Sequence, residues 1–171
     1  RSRLPSWQGR VVLITGGARG LGFALARCFA DRGAIVWLAA RHGDQLDRAV
    51  DRLRLPGAEI HAYVVDVRDR EAVEVLVAAV VARHGRLDAV VNNAGVITAM
   101  PFDDAELSDF AESLDTHFWG PLHVIRAALP WLRRQPISHI INVSSIGGRV
   151  GVPHLAPYCA GKFALAGLSE V

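Results

Sequence analysis

Val11-Val12-Leu13-Ile14-Thr15-Gly16-Gly17-Ala18-Arg19-Gly20-Leu21-Gly22 passes from an unbroken apolar run straight into a cluster of four glycines. A short apolar run closed by glycine fits a strand buried on both faces. Residues 20–32 then carry Leu21, Leu25, Cys28 and Phe29 at helical spacing, with Gly33 just past the end; this predicts a helix with that face turned inward. The glycines therefore join a buried strand to a helix N-terminus. Glycine serves where φ is positive and where an anion must approach the main chain. A helix start offers that anion free N–H groups and partial positive charge. The pattern is T-G-x-x-x-G-x-G, not the commoner G-x-G-x-x-G, and ordinary turns use glycine too. Its position after the first strand is what points to a dinucleotide pyrophosphate on Gly16, Arg19, Gly20, Leu21 and Gly22.

Beyond this turn, apolar runs and helical patterns alternate. Strands are predicted at 35–40, 60–65, 87–92 and 137–143, and helices at 44–53 and 70–83, the latter ended by His84-Gly85. The order implies parallel strands with crossover helices on both faces: an α/β, Rossmann-like, doubly wound sheet. A helical stretch over 104–135 reads as two helices meeting near Gly120-Pro121, since proline suits a first turn. Its second half has two apolar stripes, Phe118, Leu122, Ile125, Leu129 and Leu132, and Val124, Ala127 and Trp131. The second stripe either packs in the core or faces another copy in a homodimer or homotetramer. A loop over 144–157 leads to a helix from Tyr158 that is still uncapped at Val171. With no linker or repeat, residues 1–171 form one dinucleotide-binding domain, expected to be cut within this last helix and to lack the C-terminal part of its fold.

The 171 residues carry a net charge of +2, with 51% hydrophobic and 21% charged residues. That balance excludes a disordered chain and gives no basic footprint for nucleic acid. Cys28 and Cys159 stand far apart without C-x-x-C spacing or a His cluster, so neither a disulfide framework nor a metal site is expected. No apolar run is long enough to span a bilayer, and residues 1–9 lack a signal-peptide core; the expectation is a cytoplasmic protein. Lys162 is the single lysine among eighteen arginines, which suggests a position that must be lysine.

Strand ends name the remaining candidates, because ligands of open parallel sheets bind beyond the carboxyl ends of the strands. After the second strand stands Ala39-Ala40-Arg41, with no acid to take the ribose hydroxyls. Arg41 and Arg19 together favour the 2′-phosphate of NADP over NAD. Asp66 and Val67 close the third strand and suit an adenine edge, while Asn93, Ala94 and Gly95 close the fourth. Asp66 capping a helix and Asn93 satisfying loop backbone are the alternatives.

Tyr158 and Lys162 stand at i and i+4, neighbours on one helical face. A phenol titrates near ~10, and an adjacent ammonium stabilises its phenolate, making a general acid/base usable at neutral pH. Ser145 lies thirteen residues upstream, just past the fifth strand, where it can hold a carbonyl oxygen or merely cap a turn.

The glycine turn, Asp66, Asn92-Asn93-Ala94-Gly95, Ser145 and Tyr158-x-x-x-Lys162, in that order, resemble the short-chain dehydrogenase/reductase family. The resemblance implies an NAD(P)-dependent oxidoreductase interconverting a ketone or aldehyde and an alcohol. Ser145 then orients the substrate oxygen and Tyr158 moves the proton. Lys162 lowers the tyrosine pKa and binds the nicotinamide ribose, so Tyr158 and Lys162 also count as cofactor contacts. Where the family usually has asparagine, in a water-linked proton relay, this chain has His117; the imidazole either serves that relay or only packs. A non-catalytic NADP-binding sensor or scaffold that keeps the fold is the alternative function. Ile97, Met100, Val150, Pro153, His154 and Leu155 suggest an apolar substrate pocket.

Overall fold

The computed structural model describes residues 6–54 and 56–171; residues 1–5, part of the stretch examined for a signal segment, lie outside the described residues. Strands β1 (Val11–Thr15), β2 (Ile35–Ala40), β3 (Glu59–Val64), β4 (Ala89–Asn92) and β5 (His139–Asn142) form one sheet in the order β3-β2-β1-β4-β5. Every pairing is parallel, with Leu13 level with Trp37 on one side and Val90 on the other. Helices α1 (Gly20–Ala30), α2 (Gly43–Leu53), α3 (Arg70–His84), α4 (Leu107–Leu114), α5 (Gly120–Leu132) and α6 (Ala156–Ser169) complete the doubly wound fold that the alternation predicts.

Strand periodicity divides the core in two. Val11 and Leu13 join Trp37, Val77, Val124 and Ala128 on the face covered by α3 and α5. Val12 and Ile14 join Leu38, Ala26, Leu46 and Leu53 on the face covered by α1 and α2. Each of these four β1 side chains is fully buried, contributing roughly 2 kcal/mol of apolar transfer apiece. At the amino end of the sheet Asp88 is 1% exposed. Its carboxylate accepts the Val11 N–H (2.8 Å) and a two-point Arg86 contact (2.8 and 2.6 Å). This pair fixes where β1 and β4 begin.

The helices depart from the expected faces. In α1 the fully buried residues are Gly22, Ala26 and Ala30; of the expected face Leu25 and Phe29 pack half-buried against the core, while Cys28 is exposed and Leu21 is 55% exposed. Small residues win because α1 lies too close to the glycine turn for larger ones: a Cβ on Gly22 would collide with the Gly16 carbonyl. In α5 the fully buried line is Val124, Ala128 and Leu132, with Ala127 and Trp131 packed beside it against α3. Within the chain Val124 is thus core, while Ala127 and Trp131 stay half-buried, as do Leu122, Ile125 and Leu129.

The stretch over 104–135 does break at Gly120, but through a widened π turn over Asp115–Trp119, preceded by a 3-10 turn over Phe102–Asp104 and by α4. Gly120 N–H bonds back five residues to the Asp115 carbonyl. Pro121 has no N–H to return to His117, so regular α bonding cannot run through this point. Helix α6 begins two residues before Tyr158 because Pro157 fits its first turn, and it closes at Ser169. Strand β5 is an edge, with Ile140 and Ile141 41% and 38% exposed. Among the described residues no helix is long and apolar enough to cross a membrane.

Candidate active site

The strand order reverses between β1 and β4, and the crevice expected at such a switch point opens at their carboxyl ends. Two loops are locked together there. Thr15 Oγ1 accepts the N–H groups of Asn93 (3.1 Å) and Ala94 (3.2 Å), and Asn93 Nδ2 donates to the carbonyls of Thr15 (3.1 Å) and Gly16 (3.0 Å). Asn93 therefore shapes the glycine turn, satisfying loop backbone as the sequence allowed. Gly16 has φ 64°, and a Cβ on it would approach Ala94 Cα to 2.8 Å. Gly20 has φ 55° with open space where its side chain would be. The α1 N-terminus carries no side-chain cap and no acid in its first turn. Free donors, positive dipole and a cradle that side chains would fill suit a pyrophosphate.

A cavity of about 320 Å³ extends from this turn. It brings together Gly16, Arg19, Gly20, Arg41, Asp66, Val67, Asn93, Ala94 and Gly95. Of the expected cofactor contacts Leu21, Gly22, Tyr158 and Lys162 do not line it; Gly22 sits behind the turn, where its missing side chain admits Gly16, and Tyr158 borders an adjoining cleft that shares Val96 with the cavity. Ala18, His42, Gln45 and Thr116 do line it and were not expected. His42 and Gln45 flank the start of α2, and their closeness in sequence to Arg41 was the signal available. Arg19 and Arg41 are exposed and form no ion pair among the described residues.

Asp66 is less free than its position at a strand end suggested. Its carboxylate accepts the Arg68 backbone N–H (3.0 Å) and the Arg68 guanidinium (2.7 Å at the closest), and Arg68 also reaches Glu112 (3.4 Å). Burial pushes its carboxyl up, but the Arg68 hydrogen bonds outweigh this and hold it below the usual carboxylate range. The helix cap is Asp69, which accepts the Ala72 N–H (3.0 Å).

On the far side of the crevice, the expected catalytic residues come from three elements. Ser145 opens a 3-10 turn over Ile146–Gly148, its Oγ accepting the Gly147 N–H (3.1 Å). The hydroxyl proton is left to donate outward. Gly147 lies against the Tyr158 ring, where a Cβ would come 3.1 Å from Cε1. That contact seats the serine turn on the tyrosine. Lys162 is buried, 5% exposed, and its Nζ donates to the Val143 carbonyl (2.8 Å) beyond β5. The ammonium lies 5.8 Å from the Tyr158 ring centroid, and burial lowers its pKa to about 8.

His117 projects from the π turn and is fully buried, edge-on to Tyr158 with ring centroids 5.3 Å apart. Nε2 accepts the Val96 N–H (3.3 Å), so in the neutral ring Nδ1 holds the proton and donates to Ser113 Oγ (3.1 Å). Both ring nitrogens are thereby engaged by protein. Burial, and then the nearby Lys162 charge, lower its pKa to about 4. Gly95 and Gly161 make room for the ring: a Cβ on either would lie 3.0 Å from one of its nitrogens. Met100 N–H donates to the His154 carbonyl (2.9 Å), tying the two loops of the expected apolar pocket; Ile97 and Val150 there are 63% and 52% exposed.

The model of the short chain dehydrogenase family matches residues 10–171, so the chain belongs to that family. It is 36% identical over 163 residues to Oxidoreductase BOA17 of Botryotinia fuckeliana, covering 95% of this chain and 58% of that protein. Among solved structures, an NAD+-bound xylitol dehydrogenase matches with TM-score 0.92 and 33% identity, over 97% of this chain and 64% of its own. A metagenomic short-chain oxidoreductase in complex with NADP matches with TM-score 0.91 and 32% identity, over 97% and 76%. The chain spans between about half and three fifths of the length of the curated relatives it matches.

Proposed function

We propose that the protein is an NADP-dependent oxidoreductase that interconverts a ketone or aldehyde and an alcohol, with Tyr158 as general acid/base. The observation that carries this is the corner where Tyr158, the serine turn and buried Lys162 meet beside the glycine-lined cavity. Gly16, Gly20 and the α1 N-terminus hold the pyrophosphate. Arg19 and Arg41 take the 2′-phosphate, and Asp66 and Val67 border the adenine. When bound, the nicotinamide supplies or accepts the hydride.

This chain's own residues then manage the substrate oxygen. Ser145 donates its free hydroxyl proton to that oxygen and fixes its direction. In reduction Tyr158 gives the oxygen a proton as it gains negative charge; in oxidation the phenolate takes that proton back. Lys162, a buried cation on the same helical face, stabilises the phenolate. His117 works as a positioning residue, joining the loop at Val96 to α4 and bracing the Tyr158 ring. The substrate is apolar and small. Half-buried Leu122, Ile125 and Leu129 on α5 support assembly as a homodimer or homotetramer, and two free cysteines support a reducing, cytoplasmic setting.

Parallel titrations with NADPH and NADH, followed by a screen of carbonyl substrates with the tighter cofactor, test this. Tighter NADPH binding with turnover of an apolar ketone or aldehyde is expected. A clear NADH preference refutes the roles of Arg19 and Arg41. Binding with no turnover in either direction favours the non-catalytic sensor or scaffold.

A further inference from the structure

Three side chains converge at the outer edge of the sheet, outside the cofactor cavity. Glu59 and His61 are alternate residues of edge strand β3, so they share one face, and α3 delivers His84 to them in its last turn. One donor atom from each lies within 4.8 Å of the others. We propose that Glu59, His61 and His84 form a binding site for a divalent transition-metal ion of the Zn2+ type.

Two imidazoles and one carboxylate are the donor set that Zn2+, Ni2+ and Cu2+ accept and that Mg2+ does not favour. Bonds of ~2.1 Å to a single ion require the three donors to draw in by well under a side-chain length, which the partly exposed Glu59 permits. The imidazoles are already oriented. The His61 ring stacks on Trp37, its register neighbour on β2, at 4.6 Å and 28°. His84 Nε2 accepts the Trp37 indole N–H (3.0 Å), so that nitrogen carries a lone pair and no proton. His61 Nε2 lies 2.9 Å from Glu59 Oε1, and the proton those groups share leaves to solvent when the ion takes its place. Arg83, 3.8 Å from the same carboxylate, is the exposed cation that an ion would displace.

Trp37 reports the event whichever His84 nitrogen is used. An ion on Nε2 takes the lone pair that the indole N–H now meets. An ion on Nδ1 sends the ring proton to Nε2, which then accepts nothing. Both routes break the Trp37–His84 hydrogen bond.

The site owes nothing to the assignment of NADP-linked catalysis, and its test is read separately. The chelator-stripped protein is titrated with ZnCl2 by calorimetry while the Trp37 indole N–H resonance is followed. One equivalent is expected to bind and to move that resonance. His61→Asn and His84→Gln should each weaken binding at least tenfold; glutamine at 84 retains an acceptor for the indole. Cys28→Ser should leave the affinity unchanged, and a large excess of MgCl2 should not compete. Absence of binding overturns the proposal, as does binding that survives the His61→Asn/His84→Gln double variant or leaves the Trp37 resonance in place. Far-UV circular dichroism and thermal unfolding of the same samples establish that each variant is folded before its affinity is read.

Discussion

The two ends of the sheet are built to opposite rules. At the amino end, charge is answered within the chain: buried Asp88 takes the Val11 N–H and the Arg86 guanidinium. At the carboxyl end, donors are left open: an uncapped α1, a glycine at φ 55° facing open space, and two arginines without ion pairs among the described residues. The first end fixes register; the second keeps polar groups ready for something outside the chain. Arg19, Gly20 and Arg41 are exposed, so water serves their donors and charges at little cost, and they stay available to a ligand.

The largest expected effect comes from removing one oxygen at the open end. Tyr158→Phe keeps the ring that packs on Gly147 and His117 but has no proton to give. Turnover should fall about 10³-fold, within the usual range for a general acid/base, while NADPH affinity stays within a few fold. Steady-state kinetics and a fluorescence titration of the cofactor separate the two. Near-full turnover by the variant would remove Tyr158 from the mechanism. The matching change at the closed end acts on stability alone. Asp88→Ala strands the buried Val11 N–H while the part-exposed Arg86 guanidinium turns to water, and urea unfolding should show a loss of about 2 kcal/mol. If that variant unfolds like the parent, the contrast between the ends is wrong.

The open end was largely legible in the sequence because its signals are local. Glycines at fixed spacing after an apolar run, a missing acid at Ala40 and the i, i+4 pair of Tyr158 and Lys162 each sit within a few residues. What escaped depends on contacts between distant segments. Helix α1 buries Ala26 and Ala30 deepest and leaves Leu25 and Phe29 at the edge of the core, since its approach is set by the Gly22–Gly16 contact. Trp131 showed in the sequence only as part of an apolar stripe; that it packs against the core under α3 and lies 4.2 Å, ring centroid to guanidinium, from Arg134 depends on the fold. Glu59, His61 and His84 match no ligand spacing, because strand period and helix length bring them together. His117 was visible only as a departure from a family pattern; that both its nitrogens are engaged by Val96 and Ser113 needed coordinates.

His117 provides an intermediate test, since it borders the open end but is bonded like the closed one. Its folded pKa of about 4 lies below the ordinary imidazole value. The unfolded chain takes up a proton that the folded chain refuses. Its stabilising contribution is therefore complete above pH 6.5 and lost as pH falls towards 4, by up to about 3 kcal/mol. His117→Asn should flatten the stability profile across that window relative to the parent. Lys162, lowered to about 8, changes charge above pH 8 and stays out of the comparison. An unchanged slope between pH 6.5 and 4 would show that His117 gains its proton without unfolding cost.

The smallest effect concerns cofactor choice. Arg41 follows β2, where no acid is present, and lines the cavity from an exposed position, so one charge-assisted contact to a 2′-phosphate is all it can add. Arg41→Ala should weaken NADPH binding about tenfold, equivalent to about 1.4 kcal/mol, and leave NADH binding unchanged. Arg41→Asp should go further and favour NADH, because a carboxylate repels the phosphate and accepts from the ribose hydroxyls it replaces. The NADPH advantage should also shrink with added salt, since the group is solvent-exposed. Equal loss of both cofactors in Arg41→Ala would place the guanidinium on the shared pyrophosphate, and the open end would then discriminate through Arg19 alone.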